Sequence, residues 1–487
     1  SVTFASGFFA NTSTSIMQLR NTSNNAFLDL FTLAGAPAFP IDGTINSINI
    51  GKGANSVAGN TVFGELALDA TVSGGNNTAI GKSALSALTS GVNNTALGSA
   101  TLDALTTGGE NTGLGRASLS ATTTGSNNTA AGFNSLVANT TSSNNTAFGR
   151  SALADNTDGA ANTAVGANAL DANTEGSNNT ACGKDALGAN TTASGNSAFG
   201  HQALNANSTG TGCVGVGKNS LLSNTTGSNN VAIGQNSLDA NSTSSSNVAV
   251  GHEALGANTA SNNTAVGHEA AAANVGGTSL TAVGYQALDA ATAVNYSVAV
   301  GSGSLGGASL SGDNNTCVGH NSGHVISSGQ KNTCIGTDAG NAITTGDNNI
   351  VLGNNADTAS ASSDNSVTLG DSNISAIRCQ VQTISSLSDE RDKTNIENCT
   401  DGLSLINLLK PRKFTWAMRE ASDNDGKTEL GFIAQELDAA LGTKNDYIHA
   451  VLKDNPDKLE ASYGRFIPVL VKAVQELSKK VTALEAG

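Results

Sequence analysis

Proline is scarce: five in 487 residues, and none between Pro40 and Pro411. A proline removes a ladder donor from a strand, so this gap permits a long uninterrupted stack of hydrogen-bonded strands. Aromatic residues make up 4% of the chain, with a single tryptophan, Trp416. Charge is also sparse, at 13%, and unevenly placed. Residues 388–487 carry 14 Lys/Arg and 17 Asp/Glu, whereas residues 1–387 carry only 9 and 21. The long first part therefore has the composition of a fibre and the last hundred residues that of an ordinary folded domain. The net charge of −15 argues against nucleic acid or an anionic membrane as partner. No apolar run reaches the roughly 18 residues of a membrane span. No secretion signal opens the sequence, which starts at Ser1 and leaves room for upstream sequence. The six cysteines show no CxxC pairing and no zinc spacing, so neither a metal nor a cofactor is expected.

Glycine, by contrast, is abundant and periodic. Nineteen glycines run from Gly64 to Gly370, and sixteen of the eighteen intervals between them are 17 residues. The other two, of 16 and 18, cancel. Such a register means one structural unit stacked many times.

Each unit reads position by position. The residue before the glycine is apolar (Phe63, Ile80, Leu97), the one before that is small, and the third back is Thr, Ser, Val or Ile. Four before the glycine stands Asn in fifteen copies, from Asn60 to Asn349. Four after it stands Leu in fourteen of the first fifteen, Ala271 being the exception. The pattern predicts a short strand, a glycine bend, a second short strand with an inward Leu, and a polar turn. Stacked, these make a parallel β-roll or β-solenoid, with an Asn ladder satisfying turn amides. Runs such as Asn76-Asn77-Thr78 also match glycosylation sequons, although the ladder already accounts for them. Cys182, Cys317 and Cys334 hold positions that are otherwise Ala, Val or Ile, and are read as small core residues; a Cys317–Cys334 bridge between adjacent rungs is the alternative.

Segments such as SNVAVGHEAL (246–255), YSVAVGSGSL (296–305) and NSVTLGDSNI (365–374) resemble the head repeats of YadA-type trimeric adhesins. That resemblance implies a left-handed β-roll assembled as three parallel chains. The column of small Ala residues is expected to offer a close-packing surface for the neighbouring chain.

A second period lies in the charges. Lys82, Arg116, Arg150, Lys184 and Lys218 each follow a rung glycine and are 34 residues apart. Asp69, Asp103, Asp171 and Asp239 sit five after the glycine on rungs lacking the cation. Three readings stay open: ion pairing on a solvated face, a basic stripe for an anionic glycan, or a metal held by His252 and His268 in the same column.

The last hundred residues differ in kind. Ser388 and Asp389 are followed by Arg391 and by Lys393, five after the serine, and Gly431, Phe432, Ala434, Gln435 and Glu436 form an inner motif. Ile467, Leu470, Val474, Leu477, Val481 and Leu484 alternate spacings of three and four, the seam of a coiled coil. The block resembles the intramolecular chaperone domain of endosialidase-type phage tail spikes and fibres. The resemblance implies trimerisation and a single self-cleavage at Leu387–Ser388, with catalytic Ser388, Asp389 and Lys393. Asp392 departs from the aliphatic residue that family places before the lysine.

The expected organisation is therefore an attachment or capping segment over 1–60, a β-roll shaft over 61–373, a neck and cleavage linker over 374–387, and a chaperone autoprotease over 388–487 with a trimeric coiled coil at its end. The expected function is that of a homotrimeric virion fibre or spike subunit. It would be assembled in the host cytoplasm, join a virion attachment protein and bind a host-surface receptor, with a glycan as first choice. A cell-surface adhesin and a glycan depolymerase are the alternatives.

Overall fold

The computed structural model describes residues 17–20, 26–30, 43–45, 47–307, 310–374, 376–378, 388–417, 426–453, 457 and 459–487. Two compact units divide the chain, Ser1–Asn229 and Asn230–Gly487.

In the first unit, Met17–Arg20 and Ala26–Leu30 form an antiparallel pair. Gly43–Ile45 pairs with Ile48–Gly51, which in turn lies antiparallel to Thr61–Gly64. From Thr61–Gly64 onward the pairing becomes parallel and continues, one three-residue strand per rung, to Val214–Val216. Ile48–Gly51 thus covers the edge that the first rung would leave open to pairing with another chain. In the second unit the same parallel arrangement runs from Val231–Ile233 to Val367–Leu369. The repeat residues of both units form a parallel β-solenoid, as the glycine period predicts.

Register is exact at every rung described. Thr78-Ala79-Ile80, for example, lies against Thr95-Ala96-Leu97. The middle residue points inward and is fully buried, as at Ala79, Ala147 and Ala249. The Ala column is therefore core of its own chain and offers no surface to a neighbour, against expectation. The third residue points outward instead, because side chains alternate along a strand. Cys182 occupies that outward position and is exposed, so it is not a core residue. Cys317 and Cys334 are inward neighbours on paired strands, buried, and free thiols. Their extra bulk is matched by Gly323 and Gly340, which replace the usual Leu; a Cβ at Gly323 would lie 2.5 Å from Cys317 Sγ.

The rung glycine does more than bend the chain. At Gly115 φ is +126°, and an added Cβ would sit 2.7 Å from the carbonyl oxygen of Gly132 on the next rung. Each glycine thus packs directly on the following one, which carries the requirement from rung to rung.

Among the described residues, the second strand expected in each rung is absent. Two residues after the glycine the backbone turns left-handed (Ser83, φ 56°), and it does so again at the inward Leu (Leu85, φ 51°). Such a conformation costs an L-residue roughly 1–2 kcal/mol, which burying a leucine offsets at about 1.5–3 kcal/mol. The curved segment still bonds to both neighbouring rungs: Ser83 N–H donates to Glu65 O of the preceding rung at 2.8 Å and Leu85 N–H to Thr101 O of the following rung at 3.1 Å. The inward Leu column itself is as predicted, from Leu68 through Leu221 in the first unit.

The Asn ladder is also present. Asn77 Oδ1 accepts the backbone N–H of Asn94 at 2.9 Å, while its Nδ2 donates to Gly91 O at 2.9 Å. Each carboxamide thereby satisfies one buried donor and one buried acceptor of the rung above. The sequon acceptor Asn76 is a different residue: it sits in the exposed turn with φ 62°. Cys213 replaces one ladder Asn: its N–H donates to Asn196 Oδ1 at 2.9 Å and its thiol to Gly227 O at 3.3 Å.

The C-terminal residues of the second unit build a small α+β region. It contains helices α1 (Leu403–Ile406), α2 (Ala434–Leu441), α3 (Asn445–Ile448) and α4 (Ile467–Glu485), with a hairpin of Arg412–Thr415 and Thr428–Gly431. Its core gathers Leu405, Leu437, Leu441, Ile448, Phe466 and Val469. Pro468 stands in the first turn of α4, where its missing N–H is harmless. Val469 and Ala473 turn α4 toward the core, while Ile467, Leu470, Val474 and Leu477 of the heptad seam are exposed.

Candidate functional site

Two places carry the chemistry singled out in the sequence. The first begins at Ser388. Asp389 caps the one-turn helix Glu390–Asp392, its carboxylate accepting from the Arg391 N–H at 2.9 Å. The tight turn returns the chain so that Lys393 meets Ser388: Nζ donates to Ser388 Oγ at 2.5 Å and to Ser388 O at 3.2 Å. The structure thus brings Ser388 and Lys393 together. It does not bring Asp389 to them, because that carboxylate is engaged by the Arg391 side chain at 2.6 and 3.0 Å. The Arg391 bonds, side chain first and backbone second, hold Asp389 below the ordinary carboxylate value. Asp389 is a turn-former here, and the Asp389–Lys393 ion pair that a simple helix start would make is not formed. All three side chains are exposed. Leu387, the other side of the expected scissile bond, lies outside the described residues.

A serine hydroxyl bonded to a lysine amine is the contact that nucleophile–base pairs of the Ser–Lys type use. Lysine acts as base in its neutral form, which burial favours. In the single chain both side chains are open to solvent.

The inner motif has structural work. Gly431 leaves room for Tyr463, whose hydroxyl would stand 2.6 Å from a Cβ there. Phe432 meets the Tyr463 ring edge-on at 5.4 Å, and its N–H donates to Tyr463 Oη at 3.1 Å. Glu436 receives a two-pronged bond from Arg412, at 2.8 and 2.5 Å, which lowers the Glu436 pKa. Sequence reasoning missed two further contacts. Asp401, largely buried, accepts from Lys444 and from Tyr447 Oη at 2.6 Å, and these bonds, Lys444 first, hold its carboxyl below the usual range. Glu476 of α4 accepts the N–H of Leu403 at 2.8 Å and so tethers α4 to the start of α1. Neither pair is close in sequence, and no local pattern announces them.

Residues 388–445 match the family of endosialidase chaperones. The matched segment starts at the serine of the Ser388–Lys393 pair and ends at the head of α3. No curated protein matches the chain. The described helices include none long and apolar enough to cross a membrane.

The second place is the column after the rung glycines. Parallel register puts Lys82, Arg116, Arg150, Lys184 and Lys218, all in the first unit, in one exposed column at alternate rungs. Their partners are local. Lys82 Nζ lies 3.2 Å from Glu65, Lys184 Nζ 2.5 Å from Asp185, and Arg150 bonds Asn168 at 3.1 Å. Arg116 lies over the Phe133 ring at 5.5 Å. The Asp column five after the glycine is not among these partners; burial pushes Asp103, Asp171 and Asp239 above the ordinary carboxylate value. In the second unit the same column stacks His252 on His268 at 5.0 Å and His268 on Tyr285 at 5.6 Å. Among the described residues no three His, Cys, Asp or Glu side chains gather as a metal site.

The turn carries a second Asn ladder. Asn sits seven after the glycine at every rung from Asn139 to Asn274. In the first unit Asn173 donates to Asn156 Oδ1 at 2.8 Å and Asn190 to Asn173 Oδ1 at 2.7 Å. The 17-residue recurrence was visible in the sequence; the turn composition masked it.

Proposed function

We propose that this chain is the subunit of a trimeric fibre or spike of the tail-fibre or endosialidase kind, folded by its C-terminal segment. The observation that carries the reading is a chaperone-family segment placed directly after a stack of near-identical rungs. Such a stack has a register problem, since a slip of one rung exchanges nearly equivalent contacts. A C-terminal module that gathers three chains first would fix the register before the rungs form. The exposed seam Ile467, Leu470, Val474 and Leu477 on α4 supports this, because in a single chain those side chains have no cover.

In this reading the trimer also supplies the cover that the Ser388–Lys393 pair lacks. Ser388 Oγ attacks the Leu387 carbonyl carbon and passes its proton to Lys393. The Leu387–Ser388 C–N bond breaks, and the nitrogen takes a proton to become the new amino terminus. Water then hydrolyses the ester, which frees the Leu387 carboxylate and restores the Ser388 hydroxyl. Asp389 and Arg391 hold the turn that sets the pair. Residues 1–60 cap the solenoid and attach it to a virion, the 61–373 shaft presents the receptor-binding surface, 374–387 is the linker, and 388–487 is released. The Lys82–Lys218 column is the candidate contact for an anionic host glycan.

The test of the assembly is the solution mass of the purified full chain by light scattering. Three chains per particle are expected; a particle of one chain overturns the reading.

A further inference from the structure

The outward residue of each rung strand is apolar, and in the first unit it is exposed at most rungs and half-buried at Ile80, Ala131 and Val216. In the first unit Phe63 is 53% exposed, Leu97 49%, Phe148 44% and Phe199 43%, each directly before a rung glycine. The second unit repeats this at Ile233 and Ile335. Scattered exposed apolar side chains are ordinary on a protein surface. A column of them, one per rung and aligned by parallel pairing, is a contiguous apolar patch, which marks an interaction site. The outward positions of a solvated sheet are normally polar, and this chain has Thr, Ser and Asn in abundance elsewhere in the same rungs.

We infer that this column is the face on which two further copies of the chain pack, side by side and rung against rung. The inference rests on the trimer reading above and adds which face is used. The occupant follows from the repeat. Strands stacked along the column recur every ~4.8 Å, so a partner that fills every step must carry the same repeat. A helix laid along the column rises ~5.4 Å per turn and falls half a step behind after about four rungs. A second copy stays matched at all of them. The α4 seam supports the same occupant: it is a second uncovered apolar face on the same chain, with coiled-coil spacing suited to copies of itself. Packing at the column also explains why in-register assembly matters: an error of one rung would leave apolar side chains bare at both ends.

Cys182 stands in this column and is exposed, whereas Cys213, Cys317 and Cys334 are buried. It is therefore a reporter of the face. In a full-length chain carrying Cys379→Ser and Cys399→Ser, dilute trimer is treated with a zero-length oxidant or a short bis-maleimide. The expected result is covalent dimer at Cys182, with two of the three chains joined. The dimer is lost on adding Cys182→Ser, and it does not return when Ser99→Cys, on the basic column, is then introduced. If the particle has the mass of three chains but Cys182 gives no dimer with either reagent, the face is wrong and the trimer stands. If Ser99→Cys crosslinks in its place, the interface is the basic column. A particle with the mass of one chain overturns both readings.

Discussion

The solenoid and the C-terminal region solve the same problem, finding partners for buried polar groups, in opposite ways. A rung does it with copies of itself. Asn77 serves Asn94, and Asn315 serves Asn332 in the other unit by the same bond at 3.0 Å. The C-terminal region uses contacts that occur once: Asp401 with Lys444 and Tyr447, Arg412 with Glu436, Glu476 with Leu403. Copied contacts make a stack extendable but leave its register degenerate. Unique contacts define a single arrangement. The difference teaches why a repeat of this kind benefits from a separate, non-repeating module to start its folding.

The largest expected effect comes from removing that module. A chain of residues 1–387 expressed alone should collect in the insoluble fraction, whereas the full chain stays soluble. Equal soluble yields for the two would dissolve the distinction between a templated stack and its organiser.

A smaller effect should follow from breaking one copied contact. Asn162 Oδ1 accepts from the Asn179 N–H at 2.9 Å and its Nδ2 donates to Gly176 O at 2.8 Å. Asn162→Ala strands both groups in the core, at about 1–3 kcal/mol for each buried unsatisfied group. Denaturant unfolding of the variant should show that loss. A change under about 0.5 kcal/mol, the size of an ordinary surface substitution, would mean water replaces the ladder.

Acid should act on the two regions with opposite sign. Asp103, Asp171, Asp239 and Asp289 have raised pKa values from burial. The folded solenoid then binds protons more tightly than the unfolded chain. Its stability rises as pH falls through the raised folded values toward the ordinary 3.8. Asp185, lowered by Lys184, opposes this at one rung. In the C-terminal region Asp401 and Glu436 are lowered, by Lys444 and Arg412 respectively. Their contribution is complete above the ordinary carboxylate values and is lost as pH falls below them. Trp416 fluorescence, the only tryptophan signal, should therefore report C-terminal loosening as pH falls below the ordinary carboxylate values of 3.8 and 4.5, while the solenoid's circular dichroism persists. Simultaneous loss of both signals would contradict the split.

Much of the solenoid was legible because a period amplifies weak signals. One Gly or one Asn says little, but nineteen glycines and fifteen asparagines in register define a rung and its ladder. The direction of the small residue was not legible: Ala before an outward Ile reads equally well as a surface for a neighbour, and only strand alternation anchored by the inward Leu decides it. The missing second strand follows from left-handed backbone at Ser83 and Leu85, which no propensity assigns to leucine. At the candidate site the Ser388–Lys393 spacing was readable. The diversion of Asp389 to Arg391 was not, because two carboxylate partners two and four residues away are equivalent on paper until the turn is built.

We propose that the C-terminal segment assembles the chain and then cuts itself off. Intact-mass analysis of the assembled wild-type chain beside Ser388→Ala and Lys393→Ala tests this most directly. The account predicts two wild-type fragments, one beginning at Ser388, and a single uncut chain of 48.3 kDa for each variant. A wild-type trimer that stays intact, or Ser388→Ala cut at the same bond, would contradict it.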